Sequence, residues 1–173
     1  MCAGNRRIDV AVINGEIAGW EIKSDEDTLV RLSGQASVYA RVLDRATLVT
    51  TAKYIAKAEA LVPDWWALVM AEQCGADIQL TNVRGGKPNA STDAFSIAQL
   101  LWREEALDEL RQCQLSRGLA NKARYYVWER LAASLGRDEL RQVVRRRLRA
   151  RVDWPGGRTP WPDDDSSRTL ATV

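Results

Sequence analysis

Asp9, Glu21 and Lys23 lie close together in RIDVAVINGEIAGWEIKS, where Asn14-Gly15 separates two runs of strand-forming residues. Two carboxylates beside an amine are the groups that metal-dependent phosphodiester cleavage needs. The oxygens hold a divalent ion, and the amine meets the charge that develops on the phosphate. The E-x-K triplet is weak alone, because it arises by chance in a chain that is 28% charged. Acidic residues at strand ends beside a turn are also commonly just solvated.

Strand parity sharpens the pattern. If Asn14 and Gly15 alone formed a two-residue turn, Asp9 and Glu21 would fall on opposite faces, since side chains alternate with period two. The apolar alternation argues for another register. Ile8, Val10 and Val12 form one set on the first strand, and Ala18, Trp20 and Ile22 form its counterpart on the second. An odd connection, with Gly15 in a left-handed or bulged conformation, pairs these two sets and leaves Asp9, Glu21 and Lys23 on one face. Gly19 and Ala11 are then expected to leave room beside the carboxylates.

The elements that follow would position this hairpin. Ser24, Asp25 and Asp27 suit a helix N-terminus, so a helix is expected from about Thr28, with Leu29, Leu32, Ala36, Tyr39 and Leu43 at helical spacing. Gln35 and Tyr39 are one turn apart on it. A short strand over 46–51 completes strand, turn, strand, helix, strand, the order of an α/β core.

Asp9, then Glu21-Ile22-Lys23, then Gln35 and Tyr39 in the order Q-x-x-x-Y, resemble the PD-(D/E)xK, or restriction-endonuclease-like, nuclease superfamily in its RecB-like and phage-exonuclease branch. The longer string RIDVAVINGEIAGWEIKSDEDTLVRLSGQASVYARVLDRATLV is most similar to an uncharacterised bacterial and phage family within it. The resemblance implies a restriction-endonuclease-like mixed sheet flanked by helices. It implies that Asp9, Glu21 and the backbone carbonyl of Ile22 bind Mg²⁺, with Mn²⁺ as a substitute. Lys23 would contact the attacking water or the scissile phosphate, and Gln35 and Tyr39 would hold the nucleic-acid backbone or order a water. The plain alternatives are an exposed helix residue for Gln35 and a core aromatic for Tyr39. RecB-like members carry a further glutamate on a helix before the first strand, and only CAGNRR stands between Met1 and Ile8. Either the sequence starts late or the fold persists with an impaired site. Asp25 or Asp27 would be the local substitutes, although capping explains both.

Composition bounds the rest. The 173 residues are 46% hydrophobic, enough for one domain with an extension, and no apolar run is long enough to span a membrane. A cytoplasmic protein is expected, with Cys2, Cys74 and Cys113 as scattered reduced thiols. Histidine is absent, which excludes histidine bases, triads and zinc–histidine sites.

Past the hairpin and helix, AKYIAKAEALVP reads as a second helix closed by Pro63, WWALVMAE as a buried strand, and DIQLTNV as its hairpin partner across CGA. Trp65 and Trp66 fit core packing better than base stacking, because one of two adjacent strand residues points inward. RGGKPNAST has turn composition and closes a nuclease-like unit over 1–93. Residues 94–152 read as a charged helical extension, with AFSIAQLLWREEALDELRQC at helical spacing and two further helices separated near Gly136. Arg141, Arg145, Arg146 and Arg149 fall within the last of these. They would either bind phosphate or form a solvated face paired with Glu129, Asp138 and Glu139. Residues 153–173 have the composition of a disordered tail, in which Trp154 would pack where the helix ends. The expectation is a Mg²⁺-dependent deoxyribonuclease of α/β fold, compatible with a homo-oligomer. The alternative is a catalytically inactive nuclease-like protein that binds nucleic acid or a protein partner.

Overall fold

In a computed structural model, which describes residues 2–3 and 6–151, Gly15 forms the odd connection that parity requires. Strands β3 (Val10–Asn14) and β4 (Glu16–Lys23) pair antiparallel with Asn14 opposite Glu16, and Gly15 turns the chain at φ +69°. That value lies in the left-handed region where glycine carries no steric penalty. Val10 faces Trp20 and Ala11 faces Gly19, and the ladder ends there, one residue after Asp9.

β4 then pairs in parallel with β5 (Arg45–Thr50), and β5 with β6 (Ala67–Cys74). Parallel neighbours need a crossover, supplied by α1 (Leu32–Tyr39) and α2 (Ala52–Leu61). β7 (Asp77–Arg84) returns antiparallel along β6 through a turn at Gly75, completing a mixed sheet in the order β3-β4-β5-β6-β7. Two short strands, β1 (Cys2–Ala3) and β2 (Arg6–Arg7), pair ahead of it. The protein is thus an α/β fold with a C-terminal helical part: α3 (Ala94–Ala98), α4 (Arg103–Gln112), α5 (Arg124–Ser134) and α6 (Arg137–Ala150).

Several local expectations are corrected. The first helix starts at Leu32 rather than near Thr28, because Asp27 closes a turn on the backbone N–H and hydroxyl of Ser24, both at 2.8 Å. Asp25 caps nothing there and accepts from the Thr51 hydroxyl instead. The stretch from Ala94 to Gln112 is two helices, since Asp93 caps α3 through Ser96 N–H and Glu105 accepts from Trp102 N–H at the start of α4. Leu68 is the buried residue of β6, whose far end is exposed like β7. Trp65 and Trp66 precede β6, and Trp66 is fully buried as core packing requires. Cys74 and Cys113 are free thiols. The tail 153–173 with Trp154, and the side chain of Cys2, lie outside the described residues.

The helices cover one face of the sheet. Ile17, Gly19, Glu21 and Lys23 of β4 and Ala46, Leu48 and Thr50 of β5 point into it. The face marked apolar by alternation is the open one among the described residues, with Val10, Val12 and Ile22 each nearly half-exposed. Ile8 does not follow Val10 and Val12. The chain bends at Asp9 and turns Ile8 into the core, where it and Leu43 fill the space beside Gly19, so no room is left there for a ligand. A Cβ on Gly19 would come within 2.7 Å of Leu43 Cδ1.

The helical part is joined to the sheet through Asp44, which is 5% exposed. Its carboxylate accepts from Ile17 N–H at 2.7 Å and pairs with Arg141 of α6, while its backbone carbonyl accepts from Asn89 N–H at 2.9 Å. The Asn89 side chain donates to the carbonyls of Ala40 and Leu43, both at 2.7 Å. RGGKPNAST therefore stitches the end of α1 to α3 instead of merely separating them. Apolar residues of both parts belong to one continuous core. Asp44→Ala would leave Arg141 without its buried partner and should lower unfolding free energy by about 3–5 kcal/mol. Urea unfolding followed by tryptophan fluorescence measures this, and Asp44→Asn, which keeps an acceptor for Ile17, should fall between it and wild type.

Candidate active site

Glu21 and Lys23 are alternate residues of β4 and so share its covered face; Glu21 is only 1% exposed. A carboxylate at that depth must be matched by donors. Lys23 Nζ lies 2.6 Å from Oε1, and Gln35 Nε2 donates to the same oxygen. The Tyr39 hydroxyl reaches Oε2 at 3.1 Å and the Arg7 carbonyl at 2.7 Å. Its single proton serves both acceptors, so Oε2 is the less committed oxygen of the two. Lys23 is fixed in turn, because its carbonyl accepts from Thr50 Oγ1 at 2.9 Å on the neighbouring strand.

Asp9 stands at the rim, where the strand bends. Its Oδ2 accepts from Ile22 N–H at 2.8 Å, taking the position a ladder carbonyl would fill. Asp9, Glu21, Ile22, Lys23 and Gln35 line one polar pocket of about 540 Å³. The sequence-predicted residues on the hairpin and α1 are thus brought together. Arg7, Asp27 and Arg31 line the pocket too. Arg31 precedes Gln35 by four residues and Tyr39 by eight, on the same helical stripe, and that spacing is the sequence signal for it. Asp27, a local substitute ligand by sequence, has its carboxyl held below the usual range by the Ser24 backbone N–H and then the Ser24 hydroxyl. Arg7 gave no sequence signal.

The donor set suits a hard divalent cation of low carboxylate demand. Among the described residues no group of three or more Asp, Glu, His or Cys side chains is placed to hold a metal ion. Mg²⁺ needs only one or two carboxylates and keeps much of its water. Gln35 Oε1 is buried with no hydrogen-bond partner among the described residues. An orphaned acceptor beside two carboxylates fits a site that orders water.

Tyr39 is kept protonated. Burial, then the negative charge of Glu21, raises its hydroxyl well above the ordinary tyrosine value. Trp66 backs it, with ring centroids 6.2 Å apart and planes 21° from parallel.

The α6 arginines turn mostly inward. Arg141 pairs with Asp44, and Arg145 lies 3.9 Å from the same carboxylate. Arg146 and Arg147 both bind Glu109, at 2.6 and 2.5 Å. Arg149 is exposed, and Asp138 reaches Arg141 at 4.0 Å. The structure does not bring these residues into the pocket with Asp9 and Glu21.

Tyr39→Phe should cost about 1.5–3 kcal/mol, the range for a hydrogen bond to a charged group. Because the native hydroxyl titrates above its unfolded value, this contribution is whole below about pH 10 and is lost as the pH rises toward the raised native value. Urea midpoints of both proteins, taken from neutral to alkaline pH, should converge at the alkaline end.

Comparisons with known proteins fit a phage-related chain. "Protein cII" of Enterobacteria phage P4 is 26% identical over 140 residues, covering 81% of this chain and 52% of the relative. This chain therefore spans about half the length of that relative. A solved structure of a protein of unknown function from Silicibacter pomeroyi is 21% identical, with a TM-score of 0.39, over 69% of this chain and 76% of the other. No helix among the described residues is long and apolar enough to cross a membrane. Residues 2–154 match the family described as Bacteriophage P4 protein cII, and the chain belongs to that family.

Proposed function

We propose that this chain is a Mg²⁺-dependent nuclease of the PD-(D/E)xK type that hydrolyses phosphodiester bonds in DNA. The observation that carries the reading is the convergence of Lys23, Gln35 and Tyr39 on the buried carboxylate of Glu21, with Asp9 in the same pocket. A merely structural glutamate does not need two other carboxylates and a lysine opening onto one polar cavity.

Asp9, Glu21 through Oε2 and the Ile22 carbonyl would hold Mg²⁺, or Mn²⁺ in its place. When bound, the ion supplies Lewis acidity toward the phosphate and lowers the pKa of water. The protein's own groups do the rest. The Lys23 ammonium places positive charge where the phosphorus centre gains negative charge as water adds and the P–O bond to the leaving strand breaks. The free Oε1 of Gln35 accepts a hydrogen bond from the attacking water and orients it. Protonated Tyr39, 3.1 Å from Oε2, holds the Glu21 carboxylate in the orientation in which it would receive the ion.

One observation favours a second reading, a nuclease-like protein that binds without cutting. Lys23 already neutralises Glu21 at 2.6 Å, so the carboxylate is stable without an ion. Cleavage separates the two. With Mg²⁺ or Mn²⁺ the chain should nick or degrade plasmid DNA, and Glu21→Gln and Lys23→Ala should each reduce the rate by about 10²–10³-fold or more. Uncut DNA with binding retained in both variants would establish the second reading instead.

A further inference from the structure

The positive charge most visible in the sequence is already committed within the fold: Arg141 and Arg145 face Asp44, and Arg146 and Arg147 share Glu109. Arg7 and Arg31 differ. Both are exposed, both line the pocket that holds Asp9 and Glu21, and neither makes an ion pair or side-chain hydrogen bond with a described residue.

We propose that Arg7 and Arg31 are the substrate-phosphate-binding residues of this site, gripping the sugar–phosphate backbone of a DNA strand without regard to base sequence. The inference rests on the reading of the pocket as a nuclease site and assigns its substrate contacts. Both arginines are placed relative to the chemistry. The Arg7 carbonyl accepts from the Tyr39 hydroxyl at 2.7 Å, and Arg31 opens α1 one turn before Gln35. A guanidinium presents a planar fork of donors matched to phosphate oxygens.

Charge requires such residues here. Asp9, Glu21 and Asp27 would repel a polyanion, and Lys23 is paired with Glu21. Arg7, Lys23 and Arg31 bring the pocket to formal neutrality, so a bound divalent ion would make it positive. The lining carries no aromatic ring on which a base could stack. Contacts to phosphate alone position a strand but carry no sequence information.

The test uses the full chain, short fluorescein-labelled DNA duplexes of unrelated sequence and Ca²⁺ in place of Mg²⁺, with anisotropy read between about 50 and 200 mM salt. The double variant Arg7→Gln, Arg31→Gln should weaken binding tenfold or more on every duplex. It should also flatten the slope of log K against log salt by about 2, close to one unit per lost phosphate contact. Arg149→Gln, an exposed arginine of α6 outside the pocket, should leave both within about twofold. Unchanged affinity and slope in the double variant, an equal loss in Arg149→Gln, or no binding by wild type would overturn the proposal. Mg²⁺-dependent cutting is measured in parallel. Binding through these arginines without cutting supports the phosphate site while removing the nuclease reading, whereas cutting undiminished in the double variant overturns the phosphate site alone.

Discussion

The fold is organised around a carboxylate that has been taken out of water. Glu21 is 1% exposed, and an ionised group at that depth is tolerated only where charge and hydrogen bonds replace its hydration. Those replacements come from different parts of the chain: Lys23 from the same strand, Gln35 and Tyr39 from α1. The first strand cannot slip by one residue without carrying Ala11 and Ile13 from the core to the open face. α1 cannot rotate without withdrawing Gln35 and Tyr39 together. The chain before Asp9 is held as well, through the Arg7 carbonyl on the Tyr39 hydroxyl. Trp66 then fixes the ring of Tyr39 from behind, so a residue before β6 bears on the site without touching it.

Two buried acids organise the helical part: Asp44 joins α6 to the sheet, and Glu109 joins α4 to α6. Both are nearly inaccessible, and each draws two arginines from α6 within 4 Å. Half-buried Glu105 of α4 pairs with Arg151, which follows α6 and whose guanidinium also covers the Trp102 ring at 4.4 Å. A strongly basic helix thereby becomes a structural one. The arginines without a pairing carboxylate at the pocket, Arg7 and Arg31, are inconspicuous in the sequence, because neither lies in the arginine-rich stretch of α6.

Local geometry was legible from the sequence and long-range pairing was not. Asn14-Gly15 with two alternating strands specified an odd turn, and the four-residue spacing of Gln35 and Tyr39 specified a shared helix face. Alternation distinguishes the two faces of a strand but not which one a helix will cover. The face bearing Val10, Val12 and Ile22 thus stays open, while the one bearing Glu21 is buried. Ser24, Asp25 and Asp27 have the chemistry of helix caps, yet the same side chains close turns equally well, and here Asp27 does so. The pairing of Arg141 with Asp44 spans 97 residues, beyond the reach of any periodicity argument. Residues 2–154 define the family, while the roles of the site follow from chemistry in the pocket.

The central claim is that Asp9 and Glu21 form a divalent-cation site. Electron paramagnetic resonance of Mn²⁺ titrated into the full chain tests it without depending on a substrate. The free-ion signal should fall saturably at one or two ions per chain and recover on adding Mg²⁺, and Glu21→Gln should remove that loss. A free-ion spectrum unchanged by the wild-type protein would contradict it.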